Sequence, residues 1–336
     1  MSNVYYLKDY PYVGVLADLC SEFISEKRAL GLKYNAEAER LWEFSRFTKN
    51  FNCLPNTLVE EIVAAWLEKR PNESDRNRHS RFSVIKSFAE YMCRLGYCAY
   101  IPDKDEIGKI RSSFVPHIFT HNEIQRFFAA ADKMKKAQST MSPRRHIVMP
   151  VLFRILYCCG LRVSEATGLR GKDVDLKNAL LTIQNSKLTK NRYVPMSDEL
   201  TQTCAKYDAS RYVDTSGDDW FLSGPNGVRY SNQTIYGAFR EILREAEIPH
   251  IGNGKGPRVH DFRHTFAVHC LEKLVVNGSD LTVALPKLSS YLGHVGLESS
   301  EYYLRMTAEA YPHVSELLNE KLGYIIPKEE FHNEDN

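Results

Sequence analysis

The sequence lacks any stretch long and apolar enough to span a membrane. Its start, Met1 to Cys20, mixes Lys8, Asp9 and several tyrosines, with neither the basic leader nor the continuous apolar run of a secretory signal. A cytoplasmic protein without a membrane partner is therefore expected. Paired metal-ligand spacing is missing among the eight cysteines, and Cys158-Cys159 are adjacent inside an apolar run, which suits reduced, buried thiols better than zinc or a disulfide framework. An excess of charge is missing too: a net charge of +2 does not announce a polyanionic partner, so any basic surface must be local. No biased tract or internal repeat is present. The glycines from Gly252 to Gly256 lack the strand, loop and lysine order of a nucleotide-binding loop, and they read as a turn.

What is present fits two domains, because 336 residues exceed what one core usually organises. From Leu16 to Asn50, Leu16, Leu19, Phe23, Ile24, Leu30, Leu41, Phe44 and Phe47 recur at spacings of three and four, broken near Gly31, which predicts two helices. A third is expected from Val59 to Lys69, before Pro71, and a fourth from about Asn77 to Leu95, ended by Gly96. Residues 1–103 thus read as an all-helical domain. A linker follows over 104–116, where charge, Gly108, paired serines and prolines accumulate. The second domain is expected over 117–326 and a polar, frayed tail over 327–336.

Within the second domain Thr120 and Glu123 form a capping-box pattern opening a helix with Ile124, Phe127 and Phe128. Ile147 to Cys159 should be a buried helix ending at Gly160. Two short strands, Ala179 to Gln184 and Arg192 to Met196, flank a polar loop, giving a hairpin with a basic tip. Further helices are expected from about Asn232 to Ala246 and from Asp261 to Leu274. The fold class is mainly α with a small β-sheet.

Four separated pieces carry the chemistry: Cys159-Gly-Leu-Arg162-Val-Ser-Glu165, the hairpin lysine Lys187, His260-Asp-Phe-Arg263-His264, and Leu292-Gly-His294 followed nine residues later by Tyr303. Each is common by chance; their order and spacing together are not. Here the sequence resembles the tyrosine recombinase, or lambda-integrase-like, family over the whole second domain, and the first domain resembles that family's core-binding domain more loosely. The resemblance implies a C-shaped clamp on DNA, with an α+β catalytic domain.

The residue types answer separate demands of phosphodiester chemistry. Guanidinium forks match the charge that spreads over the non-bridging oxygens, which Arg162 and Arg263 can supply. A phenol with a pKa of about 10 is a poor nucleophile until a base takes its proton or cations stabilise the phenolate; Tyr303 has the family's spacing, His260 is the candidate base and His294 a hydrogen-bond donor to the phosphate. Tyr302, adjacent on a helix and about a hundred degrees away, is the rival nucleophile. Expulsion of a 5′-oxygen benefits from an acid, which the resemblance assigns to Lys187, with Lys190 as rival. Glu165, three residues after Arg162, resembles the family's acidic residue and suits a carboxylate holding the guanidinium in place. His264 and His269 read as packed or surface residues.

The implied reaction forms a 3′-phosphotyrosyl ester and a free 5′-hydroxyl, and a partner strand reverses it with no metal, cofactor or ATP. The expected partner is double-stranded DNA carrying specific recombination sites, with self-assembly from dimer to tetramer. Arg78, Arg81 and Lys86 on the fourth helix, and Lys190 and Arg192 on the hairpin, are expected DNA contacts; ordinary surface charge is the alternative. The amphipathic stretch Val314, Leu317, Leu318 and Leu322 fits docking on a neighbouring protomer or on its own domain. Integration or excision of a mobile element is the expected task, since the Leu271 to Tyr291 segment resembles that of transposable-element integrases. A type IB topoisomerase-like enzyme and a non-catalytic DNA-binding protein on the same fold are the alternatives.

Overall fold

The computed structural model describes residues 7–108, 115–136, 144–184, 191–211, 217–224, 227–252 and 256–293. The chain divides into two compact units, Met1–Phe114 and Val115–Asn336. Each has its own apolar core.

The first unit holds α1 (Ala17–Ala29), α2 (Asn35–Phe47), α3 (Glu60–Leu67) and α4 (Asp75–Arg94). One face of each is apolar, and these faces meet in a core of Phe23, Leu41, Phe44, Trp66, Phe88 and Met92. Phe23 meets Phe88 at 5.6 Å and Phe44 meets Trp66 at 5.3 Å, both edge to face. Ser74 opens α4 by accepting the Asn77 amide at 3.2 Å. Beyond α4, Ile107 is buried in this same core, and a single 3-10 turn over Lys104–Ile107 is capped by Asp103 and Glu106. Residues 104–107, expected as the start of the linker, are thus tied to the helical unit by an apolar anchor.

The second unit comprises α5 (His121–Asp132), α6 (Arg145–Cys159), α7 (Val163–Ala166), β1 (Val174–Asp175), β2 (Leu180–Ile183), β3 (Arg192–Pro195), α8 (Asp198–Ala209), α9 (Asn232–Glu245), α10 (Asp261–Val276) and α11 (Leu281–Leu292). α6 is its axle. Most of its residues are buried, and it packs on α5, α8, α9 and α10. Its Phe153 interlocks with Phe127, Phe239 and Phe262, and the Phe127 and Phe262 rings lie 5.0 Å apart. Cys159 is buried, but Cys158 is exposed: one residue along a helix turns the side chain about 100°, so the pair cannot share a face.

The strands form an antiparallel sheet in the order β1-β2-β3, with Leu181 opposite Val194, both fully buried, and Ile183 opposite Arg192. β1, α8 and α11 were not expected from the sequence. β1 is too short for a period-two signal, α8 is polar on most of its surface, and α11 contains Pro286. α11 closes a second small cluster with α10, where Leu271, Val275 and Leu292 are buried. Among the described residues no helix is long and apolar enough to cross a membrane.

Candidate active site

The site begins where α6 stops. Gly160 adopts the left-handed conformation (φ 59°) that ends the helix, and its Cα lies so close to α10 that an added methyl would sit 2.5 Å from the Phe266 ring. The reversal buries Leu161 and leaves Arg162 at the mouth of α7, with its side chain 41% exposed. One turn on, Glu165 folds back. Its Oε2 accepts the Arg162 backbone amide at 2.8 Å and its Oε1 accepts Arg162 Nη1 at 2.9 Å.

Two more guanidiniums converge on the same carboxylate. Arg192, at the start of β3, donates Nη1 to Oε1 at 2.8 Å and Nη2 to Oε2 at 2.9 Å, the parallel fork that fits a carboxylate best. Arg263, in the first turn of α10, brings Nη1 within 4.0 Å of Oε2. Arg263 also donates to the Gly160 carbonyl at 2.7 Å and the Leu292 carbonyl at 2.5 Å, tying α10 to the ends of α6 and α11. Burial alone would raise the Glu165 pKa. The Arg192 fork, the Arg162 amide and the charges of both arginines more than reverse this and hold it at about 2, so the carboxylate is ionised at every physiological pH.

His260 stands immediately before α10 with its ring accessible, 5.0 Å edge to face from His264 one turn along. Loss of hydration against the protein, then the charges of Arg263 and Arg162, push its pKa below the ordinary histidine value despite Glu165. It is therefore neutral at neutral pH, the state a proton acceptor needs. His269 is different. Its ring is buried between the Tyr157 hydroxyl at 2.9 Å and the Phe119 carbonyl at 3.0 Å, and burial followed by the neighbouring His121 lowers its pKa to about 4. This is a packed histidine.

The structure thus brings together Arg162, Glu165, His260 and Arg263 from chain segments about a hundred residues apart, and adds Arg192. Lys187, Lys190, His294, Tyr302 and Tyr303 lie outside the described residues, as does the amphipathic stretch from Val314 to Leu322. Their described neighbours converge on the site: β2 and β3 flank the hairpin lysines, and Leu292-Gly293 immediately precedes His294.

Comparison with known proteins decides the family. Residues 117–310 match the phage integrase family. A protein of Sinorhizobium fredii named as an integrase/recombinase, y4rB, is 31% identical over 300 residues, covering 86% of this chain and 92% of its own. The chain belongs to the phage integrase family. Another relative of this integrase, the tyrosine recombinase XerC of Chlamydia caviae, is 27% identical over 281 residues, with 80% of each chain covered. The fold recurs in the XerH site-specific recombinase bound to a palindromic difH substrate (TM-score 0.62, 20% identity, 88% of this chain and 83% of that one). It recurs again in the Tn1549 transposon integrase in complex with circular intermediate DNA (TM-score 0.60, 19% identity, 85% and 94%). The protein is accordingly a tyrosine recombinase, an enzyme of site-specific DNA recombination, and neither the topoisomerase nor the non-catalytic alternative is favoured.

Two of the expected DNA contacts in this integrase point into the protein. Arg81 is 1% exposed: its guanidinium pairs with Glu73, donates to the Trp66 and Glu68 carbonyls and stacks on the Trp66 ring, leaving nothing for a phosphate. Arg192 faces Glu165 instead of solvent. A basic residue beside a loop carries no mark in the sequence of which way it points, and here a buried carboxylate claims each one. Arg78 is half-buried, with Nε on the Leu67 carbonyl at 2.7 Å, while Lys86 reaches along the Phe82 ring with its ammonium 5.8 Å from the centroid. The Gly160 and Leu292 carbonyls, acceptors for Arg263, were invisible in the sequence because backbone groups have no signature there.

Proposed function

We propose that this recombinase integrates or excises a mobile DNA element, with Tyr303 as the nucleophile. The observation that carries the chemistry is the single carboxylate, Glu165, that gathers Arg162 and Arg263 beside a neutral His260. The phosphate of the scissile bond sits against the outward edge of the half-exposed Arg162 guanidinium, while Arg263, 2% exposed and bonded to the Gly160 and Leu292 carbonyls, adds its charge from beneath, so that both take up the charge growing on the non-bridging oxygens. His260 accepts the phenolic proton as Tyr303 attacks phosphorus, and His294 donates a hydrogen bond to a non-bridging oxygen. The phosphorus to O5′ bond breaks, Lys187 gives the departing oxygen its proton, and Lys190 contacts the flanking backbone. A 3′-phosphotyrosyl ester remains, and the 5′-hydroxyl of a partner strand reverses the step. Arg78 and Lys86 supply backbone phosphate contacts from the helical unit. The partner is double-stranded DNA bearing specific sites, on which the protein assembles from dimer to tetramer in the cytoplasm. The mobile-element assignment is supported by the relative named as an integrase and by the fold shared with a transposon integrase.

The test uses nicked suicide duplexes that tile the DNA on either side of the gene. Wild type should form a covalent protein-DNA adduct on one of them, and Tyr303→Phe should form none. An adduct retained by Tyr303→Phe and lost in Tyr302→Phe would move the nucleophile by one residue. Relaxation of any supercoiled plasmid without sequence preference would overturn the site-specific reading.

A further inference from the structure

The guanidinium that forms a two-bond fork on Glu165 belongs to a residue outside the proposed chemistry. Arg192 and Glu165 share a bidentate pair with side chains 15% and 14% exposed, against 41% for Arg162. The same guanidinium lies on the turn before His294: Gly293 has φ 69°, and a methyl there would come within 3.3 Å of Arg192 Nη1. From the first residue of β3, one side chain therefore bonds the carboxylate that anchors Arg162 and lies beside the Gly293 backbone, on the turn whose Leu292 carbonyl Arg263 holds.

We propose that Arg192 is a positioning residue for strand cleavage, a brace that holds Glu165 in place and makes no contact with DNA. The inference rests on the recombinase chemistry proposed above and adds a residue to it. Three guanidiniums around one carboxylate leave a surplus of positive charge facing the phosphate. Because Arg192 occupies both oxygens of Glu165 from the protein side, the carboxylate is not free to rotate, and the Arg162 guanidinium bonded to it is held in one position. Without the fork, Glu165 would stay buried with less charge to balance it and could rotate, carrying the Arg162 guanidinium bonded to it away from the phosphate. Lysine cannot replace the fork, since an ammonium is a point charge without parallel donors.

The decisive measurement is single-turnover adduct formation on the suicide duplex that wild type cleaves, alongside the dissociation constant for that duplex as a function of salt. Arg192→Ala should slow cleavage by about 10- to 100-fold, the usual range for a residue that orients a catalytic ligand, while duplex affinity and its salt slope stay at wild-type values. Arg192→Lys should restore little of the rate. The double variant Arg192→Ala with Glu165→Gln should be no slower than the slower single variant, because both act through one contact.

A readout in pH separates positioning from general loss of structure. Among the described residues, the groups facing Glu165 are Arg162, Arg192, Arg263 and, through space, His260. In Arg192→Ala the buried carboxyl loses its main stabilising partner, so the cleavage ratio of variant to wild type should worsen as pH falls from about 8 to about 5.5, and Glu165→Gln should abolish that trend. Taking the ratio cancels the titration of His260. If Arg192→Ala does not fold, Arg192→Lys carries the same comparisons. The brace is overturned by a wild-type rate in either variant, or by weaker duplex binding with a salt slope reduced by about one, which marks a phosphate contact. Absence of an adduct with wild type sinks the cleavage chemistry and the brace together; a normal wild-type adduct with unaffected variants sinks the brace alone.

Discussion

Replacing Gly160 by alanine tests how the site is held together. The residue is left-handed at the end of α6, its carbonyl receives Arg263, and an added methyl would lie 2.5 and 2.9 Å from two Phe266 carbons and 3.0 Å from Leu292 Cδ2. Phe266 cannot easily retreat, because it stacks on Tyr291 at 5.6 Å. Forcing alanine into the left-handed region costs about 1–2 kcal/mol, of which roughly 0.4–1 is returned by the stiffer unfolded chain. Overpacking against Phe266 and Leu292 adds about 1–3 kcal/mol. Gly278 supplies the control in the same unit: it is left-handed (φ 70°) just after α10, with open space where its methyl would go. Gly278→Ala should therefore cost about 1 kcal/mol and Gly160→Ala about 2–4. For a unit of this size calorimetry should show melting lowered by a few degrees in the first and by roughly 5–15 °C in the second. Adduct formation should fall only in Gly160→Ala, as the Arg263 anchor shifts. Equal melting shifts in the two variants would refute the close approach of α6 to α10.

Other outcomes follow from buried charge. His269 is neutral in the fold with its pKa at about 4, below the ordinary value of about 6.5. Its contribution to stability is complete above about pH 6.5 and is lost as pH falls towards 4, because the unfolded chain takes up the proton first; the loss amounts to about 3 kcal/mol at most. Urea titrations across that window should show the decline in wild type and a flatter profile in His269→Gln. Arg81→Ala strands Glu73, whose side chain is 3% exposed, and should destabilise the helical unit by about 3–5 kcal/mol. Its DNA salt slope should not change, whereas Lys86→Ala should lower that slope by about one with little effect on stability. A reduced slope in a folded Arg81→Ala protein would return that residue to the DNA surface.

The sequence by itself determined the helices whose apolar faces repeat with a clear period, the hairpin strands, the capping box at Thr120, and the family, because side-chain type and spacing along the chain carry those signals. It pointed to Arg162, Glu165, His260 and Arg263 by motif. Elements without a periodic face, such as two-residue β1 and proline-containing α11, escaped it. Only the tertiary structure decided the direction of each charge. Arg81 and Arg192 look in the sequence like their exposed neighbours, yet each is drawn inward by a carboxylate that a lone burial would penalise, Glu73 and Glu165. The carbonyls of Gly160 and Leu292 became partners of Arg263 only when α6, α10 and α11 packed together, since a backbone acceptor belongs to every residue and is selected by proximity alone.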